Sequence, residues 1–343
     1  MRKLLNTLYV TTESYYLSLD GENIVVLDGK SEVGRIPLHN LESIICFCYK
    51  GVSPALMGAC VNRNIALSFL TPHGNFQATI IGKTRGNVVL RKSQYRISED
   101  KVKSLGISRN CIMGKVFNCR WVLERMKRDH GLQVDVKKLE RISEQLQQNL
   151  QFIREADSEE QLRGYEGAAA SLYFSAFDDL ILQQKKHFHF HGRNRRPPLD
   201  NVNALLSFSY TLLTGMMTSA LETVGLDPAV GFMHGDRPGR NSLALDMVEE
   251  LRPVIADRFV LFLINKRIVS AKDFTTKENG AVFLNEEARK TVLTEWQKRK
   301  QPEIRHPYLE DKVQWGMVPY VQSMLLARHI RGDIEAYPPF FWK

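Results

Sequence analysis

Four side chains in the second half of the chain are of types that hold a divalent cation: Glu166, His234, Asp246 and Glu249. Glu166 lies in Arg163-Gly164-Tyr165-Glu166-Gly167-Ala168-Ala169-Ala170, which the alanines mark as helix. A glycine inside a helix costs ~1 kcal/mol relative to alanine, so Gly164 and Gly167 together suggest that another backbone approaches closely. Such a contact puts Glu166 near a buried interface, where a lone carboxylate is costly and a metal ion or cationic partner is expected. His234 lies in the Gly- and Pro-rich stretch Gly231-Phe232-Met233-His234-Gly235-Asp236-Arg237-Pro238-Gly239-Arg240, which reads as a loop. A short helix follows, capped by Asn241 or Ser242 and stopped before Pro253. Asp246 and Glu249, three apart, share one face of it, while Leu245, Val248 and Leu251 are left for the core. Imidazole combined with carboxylates suits Mg²⁺ or Mn²⁺ better than a thiolate-rich set would, with zinc left open by ligand type. Each residue alone has an ordinary explanation, as a solvated helix carboxylate or a loop histidine; their combination is what points to a site.

A second stretch, Lys185-Lys186-His187-Phe188-His189-Phe190-His191-Gly192-Arg193-Asn194-Arg195-Arg196-Pro197-Pro198, carries five Lys or Arg and no acidic residue. It reads as a phosphate-contacting loop, with Arg193, Arg195 and Arg196 as nucleic-acid-binding candidates and Arg237 and Arg240 beside them. Phosphate contacts of this kind hold a nucleic-acid backbone without reading its sequence. If this loop is extended, His187, His189 and His191 fall on one side, an arrangement that can also bind metal. Lys298-Arg299-Lys300 reads as an ordinary exposed helix end.

The charge balance agrees with a polyanionic partner. Lys and Arg total 47 against 38 Asp and Glu, for a net charge of +9 and an isoelectric point near 9.2, which favours nucleic acid or an anionic membrane surface. No run approaches the ~18 apolar residues of a spanning helix, and Met1–Asn6 does not continue into the apolar segment of a secretory signal. Cys46, Cys48, Cys60, Cys111 and Cys119 are odd in number and lack CxxC spacing, which argues against a zinc ribbon or a disulfide framework. The expectation is a reduced cytoplasmic protein with buried free thiols.

The elements that must position these residues fall into two groups. Up to about residue 85 the sequence has strand character, with Asp20-Gly21 and Asp28-Gly29 as hairpin turns, a helix opened by Ser53-Pro54, and strands at Ile65–Leu70 and Phe76–Ile81 around a turn at Pro72–Asn75. Beyond residue 92 the hydrophobic period is that of a helix. Helices are expected at Ile107–Met126, Val136–Ile153, from a capping box at Ser158 to about Gln184, then Val202–Leu221, Ser242–Leu251, Ala256–Lys266, Glu286–Lys300 and Val318–His329. The fold class is α+β: a small β-rich domain over 1–88, a linker over 89–98, and a large all-helical domain over 99–343.

At these residues the chain resembles a known family, the CRISPR-associated integrase subunit Cas1. The matching pieces are Tyr165–Ala170 with Tyr173, Arg196-Pro197-Pro198-Leu199-Asp200 with Val202–Phe208 and Tyr210, Gly231–His234, and Leu243–Pro253. The resemblance spans essentially the whole chain, with the specific motifs in 163–253. It implies a metal site of Glu166, His234 and Glu249, supported by Asp246; some members carry Asp at the last position, where Glu249 reaches further. It also implies Mg²⁺ or Mn²⁺ as cofactor and a homodimer built partly through the β-rich domain. The partners it implies are DNA and the small protein Cas2. The activity it implies is endonuclease and integrase chemistry that inserts new spacer DNA into a CRISPR array in antiviral defence, by transesterification from a 3′-hydroxyl. Two other readings stand beside it: a degradative metal-dependent nuclease, and a non-catalytic nucleic-acid scaffold in which Glu166 and Asp246 satisfy buried Arg or Lys. The triple-histidine loop and the tail Tyr337-Pro338-Pro339-Phe340-Phe341-Trp342 match no general family motif.

Overall fold

The computed structural model describes residues 7–47, 50–63, 65–71, 76–80 and 88–343. Two compact units are present, one from Met1–Arg85, Leu284–Pro302 and Gln314–Met317, the other from Gly86–Phe283, Glu303–Val313 and Val318–Lys343. The α+β class is the one expected. The division differs in two respects from a cut at 88–99. The supposed linker is helix α2 (Val88–Glu99) of the helical unit, and α9 (Glu286–Lys300) belongs to the β-rich unit.

In the β-rich unit, β2 (Tyr15–Asp20), β3 (Asn23–Asp28) and β4 (Ser31–Pro37) form an antiparallel meander. Asp20 pairs with Asn23 and Asp28 with Ser31, so each connection has two residues. Gly21 and Gly29 lead those connections at φ 57° and 60°, the left-handed backbone such turns require. A second sheet has the order β1 (Thr7–Val10), β5 (Ser43–Cys46), β6 (Ala66–Leu70), β7 (Phe76–Ile80). Its first three strands run parallel and β7 antiparallel. Between β5 and β6 runs α1 (Pro54–Asn62), where the Ser53 hydroxyl accepts the Leu56 amide at 3.2 Å. Leu17, Ile24, Leu38, Ile44, Leu56 and Leu67 lie in the buried core between these elements. The expected turn at 72–75 lies outside the described residues.

The helical unit is framed by α3 (Lys101–His130), longer at both ends than its apolar period suggests, with its start set by the cap at Asp100. The Asp100 carboxylate accepts the amides of Val102 and Lys103, both at 3.1 Å. Against α3 pack α4 (Val136–Glu155), α5 (Glu159–Ser175) and α7 (Ser242–Glu249). Helix α5 opens at Ser158 as expected but stops at Ser175, well short of Gln184; a 3-10 turn at Phe177–Leu180 and an irregular loop follow. Helix α6 (Asn201–Val224) is capped by Asp200, whose carboxylate accepts the Asn203 amide at 2.7 Å, and ends at Gly225 with φ 89°. By length and composition alone α6 is apolar enough to cross a membrane, but it packs against α7, α8 (Arg258–Asn265) and α10 (Val318–Arg331), with Leu205, Leu213, Met217 and Leu221 buried. Short strand pairs β8 (Phe274–Thr276) with β9 (Val282–Leu284), and β10 (Glu303–Arg305) with β11 (Lys312–Gln314), were not signalled by any alternation long enough to read. Cys60, Cys111 and Cys119 are buried free thiols, and Cys46 is buried as well; Cys48 lies outside the described residues.

Candidate active site

Three helices of the helical unit bring charged groups to one point. Glu166 projects from α5, Glu249 from the last residue of α7, and Lys115 from the middle of α3. The Lys115 ammonium contacts both carboxylates: it donates to Glu166 Oε1 and lies 2.7 Å from Glu249 Oε2. Arg252, one turn beyond Glu249, donates to Glu249 Oε1. Burial opposes ionisation of Glu249, but Arg252 and Lys115 outweigh it, with His234 contributing, and hold the carboxyl at about 2. Burial works against the Lys115 ammonium too; Glu249 and Glu166 overcome it and keep the group above its ordinary value.

His234 is set by its loop rather than by its neighbours in sequence. Asp246, side chain 1% exposed, accepts three successive backbone amides: Phe232 at 2.6 Å and Met233 at 3.1 Å on Oδ2, and His234 at 3.0 Å on Oδ1. The same Oδ1 meets His234 Nδ1 at 2.6 Å. A carboxylate on Nδ1 fixes the tautomer that leaves Nε2 as an acceptor, the arrangement seen behind metal-binding histidines. The loop is tied down from two other helices: Ser104 of α3 donates to the Phe232 carbonyl at 2.8 Å, and Arg163 of α5 donates to the Met233 carbonyl at 2.7 Å. Gly231 is required here, since an added Cβ would meet Asp246 Oδ2 at 2.8 Å and the His234 carbonyl at 2.9 Å.

Asp246 and Glu249 therefore do different jobs despite sharing a short helix. Asp246 organises the histidine loop, and Glu249 faces Lys115 and Arg252. Among the described residues, no three His, Cys, Asp or Glu side chains are gathered as a ready cation cage. The donor chemistry nonetheless suits a hard divalent ion. Two carboxylates from different helices converge on a single cationic group, and a histidine with a pinned Nδ1 acts electrostatically on one of them.

The glycines flanking Glu166 do not have the role their sequence suggested. Nothing lies within 4 Å of a Cβ added at Gly164 or Gly167, and both are exposed. They leave the outer surface of α5 bare instead of admitting a neighbouring backbone. Lys115 was missed altogether. Its signal is a lysine on a helical face otherwise made of Cys111, Ile112, Val116 and Cys119, all buried.

The basic candidates separate. Arg193 is used internally: its guanidinium donates to Asn203 Oδ1 at 2.6 Å and Ser207 Oγ at 3.1 Å, and lies over the Tyr210 ring at 5.2 Å. Arg240 is likewise engaged, donating to Ser242 Oγ at 3.1 Å and to the Gly235 carbonyl. Arg195, Arg196 and Arg237 are exposed. In the loop before them Phe188 and Phe190 are buried while His187, His189 and His191 face solvent, with the rings of His189 and His191 stacked at 5.9 Å. Behind Tyr210, whose hydroxyl donates to Asp257 at 2.6 Å, burial pushes the Asp257 carboxyl up to about 6 against the opposing hydrogen bonds.

A family model described as CRISPR associated protein Cas1 matches residues 8–298. The CRISPR-associated endonuclease Cas1 2 of Rhodospirillum rubrum is 53% identical over 351 residues, covering all of both chains. Among solved structures, a casposase bound to integration product superposes with a TM-score of 0.82 at 23% identity, over 98% of this chain and 93% of the other. A Cas6-RT-Cas1–Cas2 complex gives 0.81 at 20% identity, over 98% of this chain and 36% of its own.

Proposed function

The chain belongs to the CRISPR-associated Cas1 family, and from that premise we propose that it is a metal-dependent DNA endonuclease and integrase inserting spacer DNA into a CRISPR array. The observation that carries the reading is the convergence of Glu166 and Glu249 on one cationic position beside a histidine held by Asp246. Glu166, Glu249 and His234 would hold Mg²⁺ or Mn²⁺, and Lys115 would give up the carboxylates as the ion arrives. A cation bound there supplies charge stabilisation to the oxygens of a phosphodiester. A 3′-hydroxyl of the incoming DNA attacks the phosphorus, forming a new P–O bond as the O3′ of the array strand departs. With water as nucleophile the same centre cuts instead of joining. Arg195, Arg196 and Arg237, exposed and with Arg237 in the histidine loop itself, hold the backbones. The β-rich unit serves a homodimer, and Cas2 is the protein partner; the solved complex containing a Cas1 and Cas2 supports that reading.

The salt bridge of Lys115 with Glu166 also favours a second reading, a scaffold in which the carboxylates only satisfy buried cations. An integration assay with branched-product detection separates the two. Wild type with Mn²⁺ or Mg²⁺, DNA ends and the small partner is expected to give strand transfer, and His234→Ala to reduce it at least about 100-fold. Equal strand transfer by the two proteins contradicts the assignment, and hydrolysis without branched DNA points to a degradative nuclease.

A further inference from the structure

The tail Tyr337–Lys343 matches no motif of the site, yet it is bound at the back of it. Its main chain follows one face of α3. Asn110 donates to the Tyr337 carbonyl at 2.8 Å, Asn118 to the Phe340 carbonyl at 2.7 Å, and Arg125 to the Lys343 carbonyl at 2.8 Å. From Asn110 to Arg125 the helix rises about 22 Å, and six extended residue steps cover about 20 Å, so tail and helix run side by side in register. The Trp342 ring is clamped between two guanidinium groups, Arg125 at 3.9 Å and Arg258 at 4.2 Å. The Trp342 amide donates to Asn118 Oδ1 at 3.0 Å.

The tail also closes around Glu250, the residue after Glu249. Glu250 is completely buried and accepts from the Tyr337 hydroxyl, the Phe340 amide at 2.7 Å and Gln322 Nε2 at 2.9 Å. Asn118 donates to the Glu250 carbonyl at 2.7 Å while holding Phe340. Gly114, the neighbour of Lys115, allows this approach: an added Cβ there would meet Glu250 Cβ at 2.8 Å and Pro339 Cβ at 3.3 Å. The junction of α3 with the end of α7 thus has two sides. Lys115 and Glu249 occupy the first, and Gly114, Glu250 and the tail occupy the second. A buried carboxylate is a poor way to gain stability compared with an apolar residue of the same size, but a fully satisfied one fixes register.

We propose that Tyr337–Lys343 is a positioning element for the reaction, acting through Glu250 and Asn118 to set the Glu249 carboxylate against Lys115. This rests on the reading of Glu249 as a ligand. Displacements near 1 Å at a reacting centre cost on the order of 100-fold, so a small release of α7 is enough to be read in the rate. The test compares wild type, Tyr337→Phe, Trp342→Ala and a chain ending at Ala336, with Glu249→Gln as reference, on a labelled branched DNA with Mn²⁺. All are assayed where circular dichroism shows them folded. Tyr337→Phe and Trp342→Ala are expected to lower kcat about tenfold and raise the Mn²⁺ concentration for half-activation, with KM for DNA within about twofold of wild type. Truncation is expected to do the same more strongly, with a synthetic peptide of residues 337–343 restoring the rate. If the point variants keep the wild-type kcat and Mn²⁺ requirement while Glu249→Gln is inactive, the tail has no positioning role. If Glu249→Gln is itself fully active, the ligand reading is what fails. Should the truncated chain not fold, the two point variants decide the outcome.

Discussion

Lys115 is the residue on which the site turns. Its ammonium sits where two carboxylates meet and stands in for the charge that a divalent ion would bring. Removing one partner of a buried ion pair typically costs 3–5 kcal/mol; Arg252 still faces Glu249, so Lys115→Met is expected to cost about 3 kcal/mol in the absence of metal. The same change removes the ion's competitor. Thermal unfolding in EDTA should therefore show a lower Tm for Lys115→Met, and Mn²⁺ should raise its Tm further than it raises that of wild type. An equal Mn²⁺ shift in both proteins would show that ion and ammonium do not compete for the carboxylates.

At the scale of elements, precision is concentrated in the histidine loop and absent from the outer face of α5. Gly231→Ala forces a methyl group against Asp246 and the His234 carbonyl, an overpacking that costs about 1–3 kcal/mol. Activity is expected to fall with it, because the amides that fix His234 share the crowded carboxylate. Gly167→Ala meets nothing and should stabilise the protein by about 0.5–1 kcal/mol through helix propensity. Urea unfolding of the two variants measures this contrast, and destabilisation by Gly167→Ala would mean that the face of α5 is covered. Much of this level was legible in the sequence. The caps at Ser53 and Ser158, the two glycine turns, and α9 and α10 follow from local rules and lie close to where they were expected. Glu166, His234 and Glu249 were identified by motif, and Asp246 by its spacing from Glu249. What escaped was non-local. Lys115 is 51 residues from Glu166 and far before Glu249 in the chain, and no local pattern brings them together. Arg193 looks like a phosphate ligand until Asn203, Ser207 and Tyr210 fold around it. The tail is fixed by α3, more than two hundred residues earlier in the chain, together with Glu250 and Arg258, more than eighty residues earlier.

For the whole molecule, a net charge of +9 would serve the proposed DNA binding only through the side chains left exposed. Arg195→Ala with Arg196→Ala should weaken DNA binding uniformly across sequences and reduce the slope of log K against log salt by about 2, one unit for each phosphate no longer held. Fluorescence anisotropy over a salt series reads that slope. Arg193→Ala should instead show its main effect in stability, and an equally large drop in slope for that variant would reverse the division between the arginines.

The return of 284–302 and 314–317 to the β-rich unit has a consequence for how the protein is made. The strands of that unit leave the ribosome first, but α9, which completes it, follows only after α3 through α8 have been synthesised. At typical elongation rates that delay is about 10–40 s. Throughout it the nascent chain carries a sheet in which, among the described residues, β1 and β7 are the edge strands, the kind of surface that pairs with other chains. Translation speed across the helical segment, and the chaperones that attend it, thus bear on yield even though every residue of the proposed active site is encoded elsewhere.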